Sequence, residues 1–324
     1  MNEIDLSKYN IRTDLIIEDN KISHNEKNID GLTITTSVKN GNYVTLSFDD
    51  VTDKDNYNKV KKYFIELIKD ILKMNNIDDE ASCLIIGLGN KLSTPDSLGV
   101  KSLDNIIVTS HLFELGDVSN GMRKVSCFIP GVMANTGIES SKIIKAIINE
   151  IEPDFVIAID ALASRSIDRI NKTIQITDTG IHPGSGIGNN RLEISKDTMG
   201  IPVIAIGVPT VVMSSTIVYD TLEYLIKHIS YIKDNESISK LSFKKTNYIK
   251  KIKNKELSNE DKENLLGLFG SLSEYDKRSL INEVLDNTEL NMIVTPTEID
   301  FLIDKLSSLI AECLNCSLHN SISW

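Results

Sequence analysis

The chain has 324 residues with 35 basic and 46 acidic side chains, a net charge of −11, which excludes nucleic-acid binding through bulk positive charge. A hydrophobic share of 41% and a charged share of 25% exclude a disordered chain, and no apolar run reaches the ~18 residues of a membrane span. The polar start MNEIDLSKYN predicts no secretory signal, and four scattered cysteines (Cys83, Cys127, Cys313, Cys316) make no disulfide framework, so a reduced intracellular protein is expected.

In chain order, the first 30 residues are polar, with one apolar patch at Leu15-Ile16-Ile17, and read as an arm. Residues 32–38 and 43–48 alternate and are β-branched, so with Asn40-Gly41-Asn42 between them they predict a β-hairpin. Val60, Phe64, Leu67, Ile68 and Ile71 share one stripe of a helix over 55–74. Short apolar runs follow at Cys83–Leu88, Val125–Ile129, Phe155–Ile159 and Val203–Ile206, with helical patterns at Ser140–Ile151 and Ser214–His228. That rhythm predicts an α/β fold with a largely parallel twisted sheet flanked by helices, an N-terminal β-hairpin and a C-terminal helical segment. The chain after the arm is expected to form a single α/β domain with a polar excursion.

Residues 232–264 interrupt the rhythm as a polar, lysine-rich excursion. Its lysines between 240 and 255 read as a solvated face or as a patch for an acidic partner. Thr295-Pro296-Thr297-Glu298 has the pattern of a capping box with Thr295 as N-cap, ahead of an apolar stripe from Ile299 to Cys313. Cys313-Leu314-Asn315-Cys316 is formally a CxxC, but on this amphipathic helix the pair reads as core.

In open α/β sheets ligands bind beyond the carboxyl ends of the strands, so residues after each apolar run are the ones to inspect. Asp160 follows five apolar residues, where a carboxylate is desolvated; it reads as functional or as a cap for a neighbouring loop. Asp96, in Thr94-Pro95-Asp96, suits a helix start, and its place after the first run adds a functional reading. If the two share a crevice, they form a carboxylate pair holding one proton, able to activate water and protonate a leaving amine. Arg165 and Arg169 stand close enough in sequence to pair with Asp160 or with a substrate carboxylate. His182 reads as a carbonyl-polarising group, a metal ligand or a plain loop histidine. Asp178-Thr179-Gly180 is the tripeptide of pepsin-like proteases, but a single copy outside an all-β pattern is a chance match. Gly184 to Gly188 follows no apolar strand and is no phosphate loop.

The segments GLGNKLSTPDSLG (87–99), PGVMANTGIES (130–140), FVIAIDALASRSIDRINKTIQITDTGIHPGSGIGNNR (155–191) and GIPVIAIGVPTVV (200–212) resemble the germination proteases of spore-forming bacteria, as do DLSKYNIRTDL (5–15) and NMIVTPTEID (291–300). The resemblance implies an endopeptidase that degrades small acid-soluble spore proteins in the spore core during germination. It also implies a self-processing zymogen, a homotetramer, and no direct nucleic-acid or membrane partner. Matched motif to motif, the family's two proposed catalytic aspartates fall on Asp96 and Asp160, and its processing site falls between Asp14 and Leu15. Asn90, the Gly131 backbone and His182 are candidates for polarising the scissile carbonyl. The family's fold is similar to that of the metal-using hydrogenase-maturation peptidases. A metallopeptidase with Asp96, Asp160 and His182 as ligands is therefore the alternative, although no cofactor or metal is expected. A binding module acting through lysines 240–255 is the non-enzymatic alternative. One departure stands out: Met213-Ser214 occupies a place where the family usually has Asp-Ala.

Overall fold

The computed structural model describes residues 14–184, 192–234 and 257–322. The chain divides into two compact units. Among the described residues the larger comprises residues 14–164, 168–184, 192–211 and 295–322, and the smaller comprises residues 165–167, 212–234 and 257–294.

The larger unit is built on a mixed sheet. Its strands are β1 (His24–Ile29), β2 (Leu32–Val38), β3 (Asn42–Ser47), β4 (Cys83–Gly87), β5 (Val125–Phe128), β6 (Phe155–Ser164), β7 (Thr173–Thr177) and β8, which starts at Val203 and ends at Met213. They lie in the order β1-β2-β3-β7-β8-β6-β4-β5. β4 pairs in parallel with β5 and β6, whereas β1 to β3, β7 and β8 form an antiparallel run. The fold is α/β as expected, with its parallel character confined to one half of the sheet.

Alternation along the strands fills both faces. Ile85, Ile157, Ile159, Ile204 and Ile206 face one way, into a core shared with the Lys54–Met74 and Ile299–Leu318 helices. Leu84, Ile86, Val156, Ala158 and Val203 face the other way, against Ile144 and Ile148 of the Ser140–Ile151 helix. Burial on both faces is why these runs read as continuously apolar. The Lys54–Met74 helix begins where the Asp53 side chain accepts the Asn56 N–H.

The 32–38 and 43–48 hairpin is present, with Val38 opposite Asn42. The reading of the first 30 residues as an arm is overturned from Leu15 onward: Leu15 and Ile16 are buried, Ile16–Glu18 forms a short 3-10 turn, and His24–Ile29 pairs antiparallel with β2. Strand pairing here satisfies polar residues that look like solvated chain in isolation. β6 and β8 run past their apolar runs, to Ser164 and Met213; near its end β6 accepts the Asp14 N–H on the Ala163 carbonyl, and the end of β8 pairs with Ile293 and Val294. The expected capping box is not formed. The final helix starts at Ile299 with Glu298 as N-cap, while Thr295 donates its hydroxyl to the Thr210 carbonyl.

In the smaller unit the Ser214–Asp234 helix is linked to the Glu274–Asn287 helix. Arg278 stacks 3.7 Å above the Tyr219 ring and lies 3.7 Å from the Asp220 carboxylate. Strand β9 (Ile293–Val294) pairs with Val212 and Met213. The lysine-rich stretch from 240 to 255 lies outside the described residues.

Candidate active site

The β4 chain leaves the sheet at Gly87 and turns back over its own tip. Asn90 N–H donates to the Asp96 carbonyl at 3.0 Å, and the Asn90 Oδ1 accepts Leu92 N–H at 3.0 Å. Gly89 makes this possible: its φ is +107°, and a Cβ there would overlap the Asp96 carbonyl oxygen and come 3.2 Å from the Asp96 carboxylate. Asp96 therefore closes a 3-10 turn, Thr94–Asp96, seated on the end of β4.

The same turn reaches the neighbouring strands. Its Cα atoms come within 8 Å of those of β6, and the Thr210 hydroxyl of β8 donates to the Pro95 carbonyl at 2.7 Å. On β6, Ile159 is the register partner of Gly87, and its carbonyl accepts Leu88 N–H at 2.8 Å. Asp160 is the next residue, 6% exposed, with one carboxylate oxygen accepting Ala161 N–H at 2.9 Å. Both aspartates thus occupy the carboxyl end of the paired strands β4 and β6. Asp160 sits within β6 and not in a loop after it. By alternation it is on the side of Val156 and Ala158.

Further along β6, the N-terminal segment docks. Asp14 N–H donates to the Ala163 carbonyl at 3.2 Å, and Ala163 N–H donates to the Asp14 carboxylate at 2.9 Å. Gln175 of β7 donates from Nε2 to the Asp14 carbonyl at 3.0 Å and accepts Ile16 N–H on Oε1 at 2.8 Å. The Glu18 carboxylate accepts from the Ser164 hydroxyl and pairs with Arg169, both at 2.6 Å. The partner of Arg169 is thus Glu18. Sequence reasoning missed Gln175 and Glu18. The available signal was the alternation Thr173, Gln175, Thr177, three polar residues on one face of a strand whose other face is Ile174 and Ile176.

The other candidates are placed elsewhere in the network. The His182 side chain is 60% exposed, with its Nε2 3.6 Å from the Glu193 carboxylate. The Gly131 carbonyl accepts the Ser140 hydroxyl, and the Arg165 carbonyl accepts from Arg278. Asp178 accepts from the backbone and side chain of Asn42 and from Asn75, a structural tie that explains it without catalysis. Among the described residues no three His, Cys, Asp or Glu side chains form a metal-holding group, so Asp96, Asp160 and His182 are not assembled as a ligand set. Cys313 and Cys316 are buried free thiols in the core, and burial pushes the Cys127 thiol up to about 12. Met213 pairs with Ile293 of β9.

The family model for germination proteases matches residues 7–324. This chain belongs to the germination protease family. It is 43% identical to the germination protease of Bacillus subtilis strain 168 over 359 aligned residues, covering 99% of this chain and 97% of that one. The germination protease of Bacillus pumilus is 45% identical, covering 99% and 96%, and that of Priestia megaterium is 41% identical, covering 99% and 96%. The chain is accordingly a peptidase, and the network around β4, β6 and β7 is the peptidase's candidate active site. No helix among the described residues is long and apolar enough to cross a membrane.

Proposed function

We propose that this peptidase begins the breakdown of small acid-soluble spore proteins in the germinating spore core, and that it is made as a self-processing zymogen cut between Asp14 and Leu15. An Asp96/Asp160 pair activates the water. One carboxylate takes a proton from water as its oxygen bonds to the peptide carbon; the other, still protonated, gives its proton to the leaving nitrogen as the C–N bond breaks. Two carboxyls that meet in one crevice share one proton more readily than they both ionise, and their apparent pKa values belong to the pair. The working form is a homotetramer that needs neither a nucleic acid nor a membrane.

The observation that carries the reading is the docking of Asp14 against Ala163, three positions along the strand that bears Asp160. Residues 14–18 combine acidic ends with an apolar middle, Asp-Leu-Ile-Ile-Glu, and are held extended at their start by main-chain bonds that any peptide could make. The test is incubation of the full chain at mildly acidic pH, with sequencing of the new N-terminus. A start at Leu15, abolished in a folded Asp160→Asn variant that also fails to cut an acid-soluble spore protein, supports the reading. Retained cleavage by that variant removes Asp160 from the mechanism.

A further inference from the structure

The Gln175 carboxamide brackets Leu15, the residue that follows the Asp14–Leu15 peptide bond. Its Nε2 donates to the carbonyl oxygen of that bond at 3.0 Å, and its Oε1 accepts the N–H of the next residue, Ile16, at 2.8 Å. Only one orientation of the amide satisfies both contacts, since one partner is an acceptor and the other a donor. Gln175 is 6% exposed on β7, opposite Thr45 of β3 on one side and Gly207 of β8 on the other. A side chain on an internal strand with both ends engaged is held in one pose before any reaction occurs.

The peptide it grips is fixed on both sides. Upstream, Asp14 exchanges its N–H and carboxylate with the backbone of Ala163. Downstream, Leu15 is 1% exposed, and Glu18 is anchored by Ser164 and Arg169. A fixed N–H donor aimed at a peptide carbonyl in a water-poor setting is the arrangement that stabilises negative charge developing on that oxygen.

We propose that Gln175 is the oxyanion donor and register clamp for hydrolysis of the Asp14–Leu15 bond; this rests on the reading that the chain cuts itself there. As the water oxygen bonds to the Asp14 carbonyl carbon, the C=O electron pair moves onto the oxygen held by Gln175 Nε2. On collapse the bond to the Leu15 nitrogen breaks, that nitrogen takes its proton from the protonated carboxyl of the aspartate pair while the other carboxylate keeps the proton it took from water, and Asp14 leaves as a carboxylic acid. Gln175 gains and loses no proton, so a neutral amide suits the position. An ionised glutamate would present only acceptors to the same oxygen. Asn90, Gly131 and His182, the sequence candidates for this role, have the partners described above, and none of those contacts is to Asp14.

The experiment follows self-processing of the full-length wild type, Gln175→Ala, Gln175→Glu and Asp160→Asn across a pH series. The intact fraction is read by mass spectrometry, the new terminus by sequencing, and the fold by thermal melting. Wild type is expected to yield Leu15, and Gln175→Ala to do so about 100-fold more slowly. Gln175→Glu is expected to be at least as slow at neutral pH. It should then recover relative to wild type as the pH falls through the carboxyl range, because the protonated acid regains a donor. A purely structural glutamine would lower the melting temperature of both variants without an acid-restored branch. Gln175→Ala processing at the wild-type rate, or Gln175→Glu tracking Gln175→Ala at every pH, overturns the assignment. Wild type that never yields Leu15 overturns the underlying reading, and the assignment with it.

Discussion

Replacing Gly89 by alanine adds one methyl group where the turn that carries Asp96 leaves least room. Gly89 has φ +107°, and the new Cβ would overlap the Asp96 carbonyl oxygen. The unfavourable backbone costs about 1–3 kcal/mol, and loss of the Asn90 N–H to Asp96 bond adds about 1 kcal/mol. Gly116→Ala is the matched control: φ there is +70°, nothing lies within 4 Å of an added Cβ, and strain of about 1 kcal/mol is the whole effect. At about 1.5 °C per kcal/mol for a chain of this length, thermal melting should separate the two variants. Relief of the clash requires the turn carrying Asp96 to move by about 1 Å, and under the proposed role of Asp96 such a shift costs about 100-fold in rate. Self-processing and cleavage of a spore protein should both fall by about that factor in Gly89→Ala and stay at wild-type rate in Gly116→Ala. A Gly89→Ala variant that melts with its control and cuts at the wild-type rate would refute the coupling of Asp96 to the β4 tip.

Other outcomes follow from the same contacts. Arg169→Ala leaves the buried Glu18 carboxylate with Ser164 but without its guanidinium, and should cost about 2 kcal/mol in denaturant unfolding and expose the 14–23 segment to limited proteolysis. His319 is fully buried, accepts Arg123 N–H on Nδ1 and faces the Ile107 carbonyl with Nε2; burial lowers its pKa below the ordinary imidazole value. The folded state thus favours neutral His319. Its contribution is complete above the unfolded value of about 6.5 and is lost as the pH falls through that value toward the lower folded one. Melting temperature should drop across that window in wild type and drop less in His319→Gln; equal drops would assign the acid sensitivity to other groups. Burial raises the Cys83 and Cys313 thiols well above their ordinary value, so alkylation at pH 8 should await unfolding, and rapid labelling of the native protein would contradict the packing.

The sequence by itself determined the elements whose signals are local. Continuous apolar runs marked the doubly buried strands β4, β6 and β8, and the helical stripe of Val60, Phe64, Ile68 and Ile71 marked the Lys54–Met74 helix. Asp160 drew attention because a carboxylate following five apolar residues is costly to bury. Long-range contacts decided the rest. Leu15 and Glu18 look like parts of a solvated arm until Gln175 of β7, Ala163 and Ser164 of β6 and Arg169 hold the segment that carries them. Pairing, not hydropathy, carries β6 to Ser164 and β8 to Met213, and a contact 115 residues apart joins Thr210 to Pro95 beside Asp96. Hydrophobic period is written in neighbouring residues, whereas the partner of a buried polar group is chosen only when distant strands meet. Gln175 therefore reads as one polar residue in a short strand, and only the assembled sheet sets its amide between the Asp14 carbonyl and the Ile16 N–H.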